Sequence, residues 1–249
     1  MAVYAAQIDR LDQSLGRLVA ELKRLGQYEN TLIAFVSDNG GCAEFLREDG
    51  EADKWPGFYG YPLPDGRPVV VGNHPGREPG PGTTFMSYDL PWANASNTPF
   101  RRFKSYVHEG GIATPAVVSW PAGLRGGQIR HDVCHFLDFM PTCLELAGAE
   151  YPEQFAETRL QPLEGRSLLP LLQGQPVAER TLAWEHYRSR AIRTGDWKLV
   201  HDRNDPDERW ELYHLPTDRT ELHDLSATEP ARAQSMNDAY QVWARRVGV

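Results

Sequence analysis

The segment Thr31 to Gly41, TLIAFVSDNGG, runs through apolar and β-branched residues and stops at an acid, an amide and two glycines. Asp38 offers a carboxylate and Asn39 a carbonyl oxygen, both hard donors of the kind Ca²⁺ or Mg²⁺ prefers, and Gly40 and Gly41 let the backbone turn sharply beside them. Asp-Asn-Gly is equally an ordinary tight turn, so these residues alone leave both readings open. Further along, His108 and Glu109 precede Gly110-Gly111. A histidine beside an acid suits acid/base work, though fixing a turn is the preferred role here, with the glycines permitting close backbone approach. Glu185 and His186 end a strand pattern and could touch the organic part of a substrate. Trp92, Asn94 and Asn97 could line a cleft or serve as loop structure.

The elements that must position these groups follow from periodicity. Leu32 to Val36 is continuously apolar between turn formers, which suits a parallel strand covered on both faces, and ligands of such sheets gather beyond the strands' carboxyl ends. Before it, Tyr4, Ile8, Leu11, Leu15, Leu18, Val19, Leu22 and Leu25 recur at helical spacing up to Gly26. Residues 44 to 95 are rich in Gly and Pro and lack sustained periodicity, which predicts a long irregular insertion. Thr114 to Trp120 is a second short buried strand. Phe136 to Ala147 is a helix that begins near Asp138 and stops at Gly148.

From about Ala178 the pattern changes to short runs separated by polar turns: Thr181–His186, Arg190–Arg193, Trp197–His201 and 210–215. They predict a small antiparallel sheet, closed by a helix over Glu229 to Val247. The expected division is therefore a core over residues 1–177 and a C-terminal subdomain over 178–249.

The chain has 249 residues, 41% hydrophobic and 24% charged, with a net charge of −8. That composition is ordinary for a globular protein, and without a basic surplus a nucleic-acid partner is not expected. No stretch reaches the roughly 18 apolar residues of a membrane span. The start, MAVYAAQIDRLDQSLG, lacks the basic flank and apolar core of a secretory signal, which leaves the cytoplasm as the default expectation. An export signal carried further upstream would make the protein periplasmic or secreted. Three cysteines without metal-ligand spacing argue against a disulfide framework.

A second block, WANASNTPFRRFKSYVHEGGIATPAVVSWP over Trp92 to Pro121, adds specificity to the Asp-Asn-Gly turn. With HDVCHFLDFMPTCLELAGAEYP, PLEGRSLLPLL, AIRTGDWKLV and WELYHLPTDRTELHDL, in that order and spacing, the chain resembles the arylsulfatase type of the sulfatase family, within the alkaline-phosphatase superfamily. The resemblance implies an α/β fold: part of an alkaline-phosphatase-like mixed sheet flanked by helices, then a small antiparallel sheet with a C-terminal helix. It implies a sulfuric ester hydrolase using a divalent metal, Ca²⁺ favoured over Mg²⁺, and a small-molecule or saccharide sulfate ester as substrate. Asp38 and Asn39 match two of the family's metal ligands, and Lys104 matches its sulfate-contacting lysine. By itself Lys104 would read as a solvated member of a basic cluster with Arg101 and Arg102.

The same resemblance marks what this sequence does not encode. The family's upstream aspartate pair, its two catalytic histidines, and the C/S-x-P/A-x-R motif oxidised to formylglycine have no counterpart in place. Ser189-Arg190-Ala191-Ile192-Arg193 fits the short pattern but lies far downstream, before a turn and strand. The expectation is a C-terminal part that is inactive alone and pairs with the part bearing the nucleophile, or with a second copy. A phosphatase or phosphodiesterase of the same superfamily, and a non-catalytic binding module, are the alternatives.

Overall fold

A computed structural model describes residues 1–46 and 61–249. The N-terminal helix Ala2–Arg24 forms as its periodicity predicts, closes with Lys23 and Arg24 in its last turn, and is followed by Gly26 at φ +68°. Basic residues there oppose the negative end of the helix dipole. Strand β1, Ile33–Val36, pairs with β4, Ala116–Ser119, in a two-stranded sheet. The expected cover on both faces is not found: Phe35 is 43% and Val117 63% exposed, because two strands alone cannot shield each other's faces.

Part of the predicted irregular insertion, residues 47–60, lies outside the described residues. The rest carries more order than its Gly and Pro content suggests. Strand β2, Val70–Val71, runs parallel to β3, Thr84–Phe85, and a helix spans Asp89–Asn97. Trp92, Asn94 and Asn97 are therefore helical and not in a loop. Pro91 falls in the first turn, where its missing N–H costs nothing, and so short a polar helix has no amphipathic period to betray it.

The chain forms two compact units. One comprises residues 21–34 and 118–179. Its centre is Asp138, fully buried between a one-turn 3₁₀ helix, Phe136–Asp138, and the helix Phe139–Ala147. The Asp138 carboxylate accepts from the His135 N–H at 2.8 Å and the Arg166 N–H at 3.0 Å. Thr142 Oγ1 donates to the Asp138 carbonyl at 2.6 Å and accepts from the Leu168 N–H at 2.8 Å. Two phrases separated in sequence, HFLDFMPT and EGRSLL, are thus joined through backbone groups that would otherwise be buried unpaired. A short hairpin, β5 (Gln154–Phe155) with β6 (Thr158–Arg159), and the turn Leu169–Leu172 complete this unit.

The other unit holds residues 1–20, 35–117 and 180–249. Here strands β7 (Thr181–His186), β8 (Ser189–Thr194), β9 (Trp197–His201) and β10 (Trp210–His214) make an antiparallel sheet in the order β10-β9-β8-β7. Alternation decides what each face meets. Ile192, Leu199 and Leu212 pack against Met236, Tyr240 and Ala244 of the C-terminal helix Pro230–Val247. On the opposite face Ala191, Val200 and Tyr213 pack with Val107, and the same face carries Lys198 and Glu211. That polar cargo on a buried face is what ties the sheet to residues 101–111.

Candidate functional site

The turn after β1 is a meeting point of four distant segments. The Ser37 carbonyl accepts from Thr114 Oγ1 at 2.8 Å, and the Gly40 N–H donates to the Gly111 carbonyl at 3.0 Å. Next, the Gly41 N–H donates to Asn97 Oδ1 at 2.9 Å and the Cys42 N–H to the Tyr88 hydroxyl at 3.1 Å. The Gly41 carbonyl accepts from the Lys104 N–H at 3.0 Å. Only glycine permits this approach: a Cβ on Gly40 would run into the Gly110 carbonyl, and one on Gly41 into the Tyr88 hydroxyl. Asp38 is exposed and Asn39 half-buried at the head of the turn, whose backbone is fastened on every side.

Lys104 arrives in the same place from the loop Thr98–Tyr106. Its ammonium lies 3.1 Å from Glu44 Oε1 and 3.9 Å from Cys42 Sγ. The neighbouring cations go elsewhere. Arg102 pairs with Asp202 at 2.6 Å, and Arg101 donates to the Tyr213 hydroxyl and the Glu221 carbonyl at 3.0 and 2.7 Å. Of the three, Lys104 alone is directed at the strand-end turn. Its flanking residues Arg102 and Ser105 have φ of +67° and +75°, conformations that L side chains adopt only at a cost and that recur where function fixes a backbone. Asn97 fastens both partners, since its carbonyl takes the Gly41 N–H while its Nδ2 donates to the Arg102 carbonyl at 3.1 Å.

His108 and Glu109 are both buried, at the start of the single helical turn Glu109–Ile112. Glu109 Oε1 is 2.9 Å from Lys198 Nζ, whose other partner, Glu221 Oε1, is at 2.8 Å; Glu221 Oε2 in turn accepts the Glu109 N–H at 2.7 Å. Burial alone would push the Glu109 carboxyl up, but Lys198, with Arg193 and Arg219, outweighs it and holds the carboxyl below its ordinary value. Burial likewise opposes the Lys198 charge, and the two carboxylates prevail and raise it.

His108 Nε2 lies 3.5 Å from Glu211 Oε2. The contact is long and lacks the alignment of a strong hydrogen bond, and neither ring nitrogen has another partner among the described residues. That ring, the Tyr213 hydroxyl donating at 2.8 Å, and Arg101 together bring Glu211 down to about 2. Lys198, Glu211 and Glu221 gave no signal in the sequence, where a lysine in a β-strand pattern reads as a solvent position.

Other predicted residues have local duties. Glu185 Oε1 accepts the Arg188 N–H at 2.8 Å across the β7–β8 turn, and exposed His186 lies 4.4 Å, ring to ring, from Tyr187. Trp92 is exposed on its helix. Ser189, first residue of the SRAIR match, is buried at the start of β8, no setting for an oxidised nucleophile that must meet substrate.

Among the described residues no group of three or more His, Cys, Asp or Glu could hold a metal ion. Asp38 and Asn39 suit a hard cation in donor type, yet supply two ligands where Ca²⁺ takes about six to eight and Mg²⁺ about six.

The mixed α/β fold is of the alkaline-phosphatase-like kind found in the sulfatases of known structure that it resembles. The chain belongs to the sulfatase family: the Sulfatase model matches residues 1–149, and the model of the N-sulphoglucosamine sulphohydrolase C-terminal region matches residues 100–239. It is 30% identical to an uncharacterised sulfatase of Schizosaccharomyces pombe over 254 residues, covering 100% of this chain and 44% of the relative. An arylsulfatase of Klebsiella aerogenes is 32% identical over 169 residues, 68% of this chain and 34% of that one. Among solved structures, Ps i-CgsB superposes with a TM-score of 0.65 at 25% identity, over 97% of this chain and 42% of that one; the same protein is known in complex with k-i-k-neocarrahexaose. The chain thus spans less than half the length of the curated relatives it matches.

Proposed function

We propose that this chain supplies the sulfate-binding side of a sulfuric ester hydrolase site, with Lys104 contacting the sulfate and Asp38 and Asn39 furnishing two of the ligands of a divalent cation, Ca²⁺ in preference to Mg²⁺. The observation that carries the reading is the Gly41–Lys104 backbone bond, which brings the lysine of one distant segment to the turn holding the two oxygen donors. A bound cation would polarise the sulfate and offset its charge. Lys104, a compact charge on a flexible stem, pairs with whichever oxygen gains charge as the ester bond breaks.

The substrate is a small-molecule or saccharide sulfate ester, and no nucleic acid or membrane is involved. Residues 1–249 hold no formylglycine precursor where one is needed, so the chain alone does not turn over and completes its site with a second polypeptide segment or another copy.

Calorimetric titration of the purified chain with sodium sulfate and with CaCl₂ tests this. Lys104→Ala should weaken sulfate binding about tenfold while leaving the fold intact, and Asp38→Ala should abolish Ca²⁺ binding. Sulfate affinity indifferent to Lys104 would overturn the assignment. Hydrolysis of 4-nitrocatechol sulfate by the chain alone, lost in Asp38→Ala, would overturn its inactivity.

A further inference from the structure

The tip of the β7–β8 hairpin carries side chains its backbone disfavours. His186 faces Ser189 in register, so the connection is the two-residue loop Tyr187-Arg188. Both residues have positive φ, +49° and +70°. A two-residue hairpin of this kind is met at no steric cost by Asn-Gly; a bulky aromatic and an arginine in its place strain the backbone. The contacts at the tip belong mainly to Arg188, whose N–H is taken by Glu185 at 2.8 Å and whose guanidinium pairs with Glu208 at 3.0 Å, while Tyr187 is 71% exposed.

What surrounds the ring is chemically specific. The Arg203 guanidinium lies 5.8 Å from the centre of Tyr187 and 5.0 Å from that of Tyr106. It also donates from Nη1 to the Ser105 carbonyl at 2.9 Å, one residue from Lys104. The His186 ring is 4.4 Å from Tyr187. An exposed aromatic face, its neighbouring imidazole and a guanidinium stacked between two tyrosines thus adjoin the loop that delivers the lysine. The negative face of an aromatic ring attracts the C–H face of a pyranose. A guanidinium has five N–H donors, of which the Ser105 bond uses one, and the fork suits sugar hydroxyls or a second acidic group.

We infer that Tyr187, with His186 and Arg203, forms a saccharide subsite that holds the sugar unit next to the sulfated one. This rests on the sulfate reading of Lys104 and extends it to an oligosaccharide ligand. The residue that sets specificity is Tyr187, and its place at the two-residue hairpin tip is what presents it.

The test compares N-acetylglucosamine 6-sulfate with its β-1,4-galactosyl disaccharide, each titrated calorimetrically into the 249-residue chain. The disaccharide should bind about tenfold more tightly, an advantage lost in Tyr187→Ala and kept in Tyr187→Phe. Replacing Tyr187 and Arg188 together by Asn and Gly should raise the melting temperature while removing the same advantage, which separates a binding role from a folding one. Lys104→Ala should weaken both ligands equally and preserve their ratio. Equal affinity of the wild-type chain for the two sugars, or a ratio unchanged in Tyr187→Ala, overturns the subsite. So does a double variant no more stable than wild type. If the ratio depends on Tyr187 but neither affinity depends on Lys104, the subsite stands and the sulfate assignment falls. Absence of binding to either sugar overturns both.

Discussion

Lys198 shows how much a single side chain can hold in this molecule. Its ammonium is fully buried between Glu109 and Glu221, and through Glu109 it anchors the helical turn whose Gly111 carbonyl receives the Gly40 N–H. Removing one member of a buried ion group leaves the others charged and unpaired, so Lys198→Ala should cost about 3 to 5 kcal/mol in urea unfolding. A loss below about 1 kcal/mol would mean that water replaces the ammonium readily.

Glu211 gives the pH counterpart. Its folded-state value, about 2, lies below its ordinary 4.5, so its contribution is complete above about pH 4.5 and is lost as pH falls toward 2. Half-buried as it is, Glu211 should contribute on the order of 2 kcal/mol at neutral pH. Glu211→Gln should flatten the acid limb of the stability profile; an unchanged acid limb would show the His108, Tyr213 and Arg101 contacts to be energetically idle.

At the scale of elements, the close approach of two glycine pairs positions the candidate site. Gly40 sits against Gly110, and the Gly110 and Gly111 positions are in turn closed by the carbonyls of Arg101, Arg102, Phe103 and Tyr106. Backbone packs on backbone here, and a methyl group has no space to enter without pushing the turn off the Glu109–Ile112 helix. Gly40→Ala should therefore stretch the Gly40–Gly111 bond, speed amide exchange at residues 38–42 and weaken sulfate binding about tenfold, with the β7–β10 sheet unaffected. Exchange that rises throughout the sheet as well would show that the turn is coupled to the whole fold and is not a local mount.

On the scale of the whole molecule, apolar surface is unevenly covered. The helix Ala2–Arg24 has no buried residue, with Ile8, Leu11 and Leu18 about half exposed, and Phe35 and Val117 are exposed on the paired strands β1 and β4. Apolar area of this kind is drawn from water wherever a complementary face exists. The isolated chain should self-associate with rising concentration in sedimentation experiments, and Phe35→Lys with Val117→Lys should shift it toward monomer. A strictly monomeric wild type at high concentration would refute this. No helix among the described residues is long and apolar enough to cross a membrane.

Periodicity alone determined the elements whose apolar residues repeat strongly: the first helix, the strand into Asp38, the four C-terminal strands and the final helix all lie within a few residues of their predicted limits. The order of the family's phrases was legible for the same reason, since each phrase is local. The helix over Asp89–Asn97 escaped because it is short and polar, and the two-residue strands β2 and β3 are too brief for any period to register.

Partnership was decided only in three dimensions. Nothing local distinguishes Arg101 and Arg102, which bind the C-terminal sheet and its loops, from Lys104, which turns to Glu44 and Cys42. Nor could spacing reveal that Lys198 is buried, because charge in a strand is ordinarily solvated, and only the arrival of Glu109 and Glu221 from distant segments makes burial tolerable. The strained Tyr187 turn belongs to the same class: a sequence shows which residues stand at a hairpin tip, but the positive φ that disfavours them arises from the register of two paired strands.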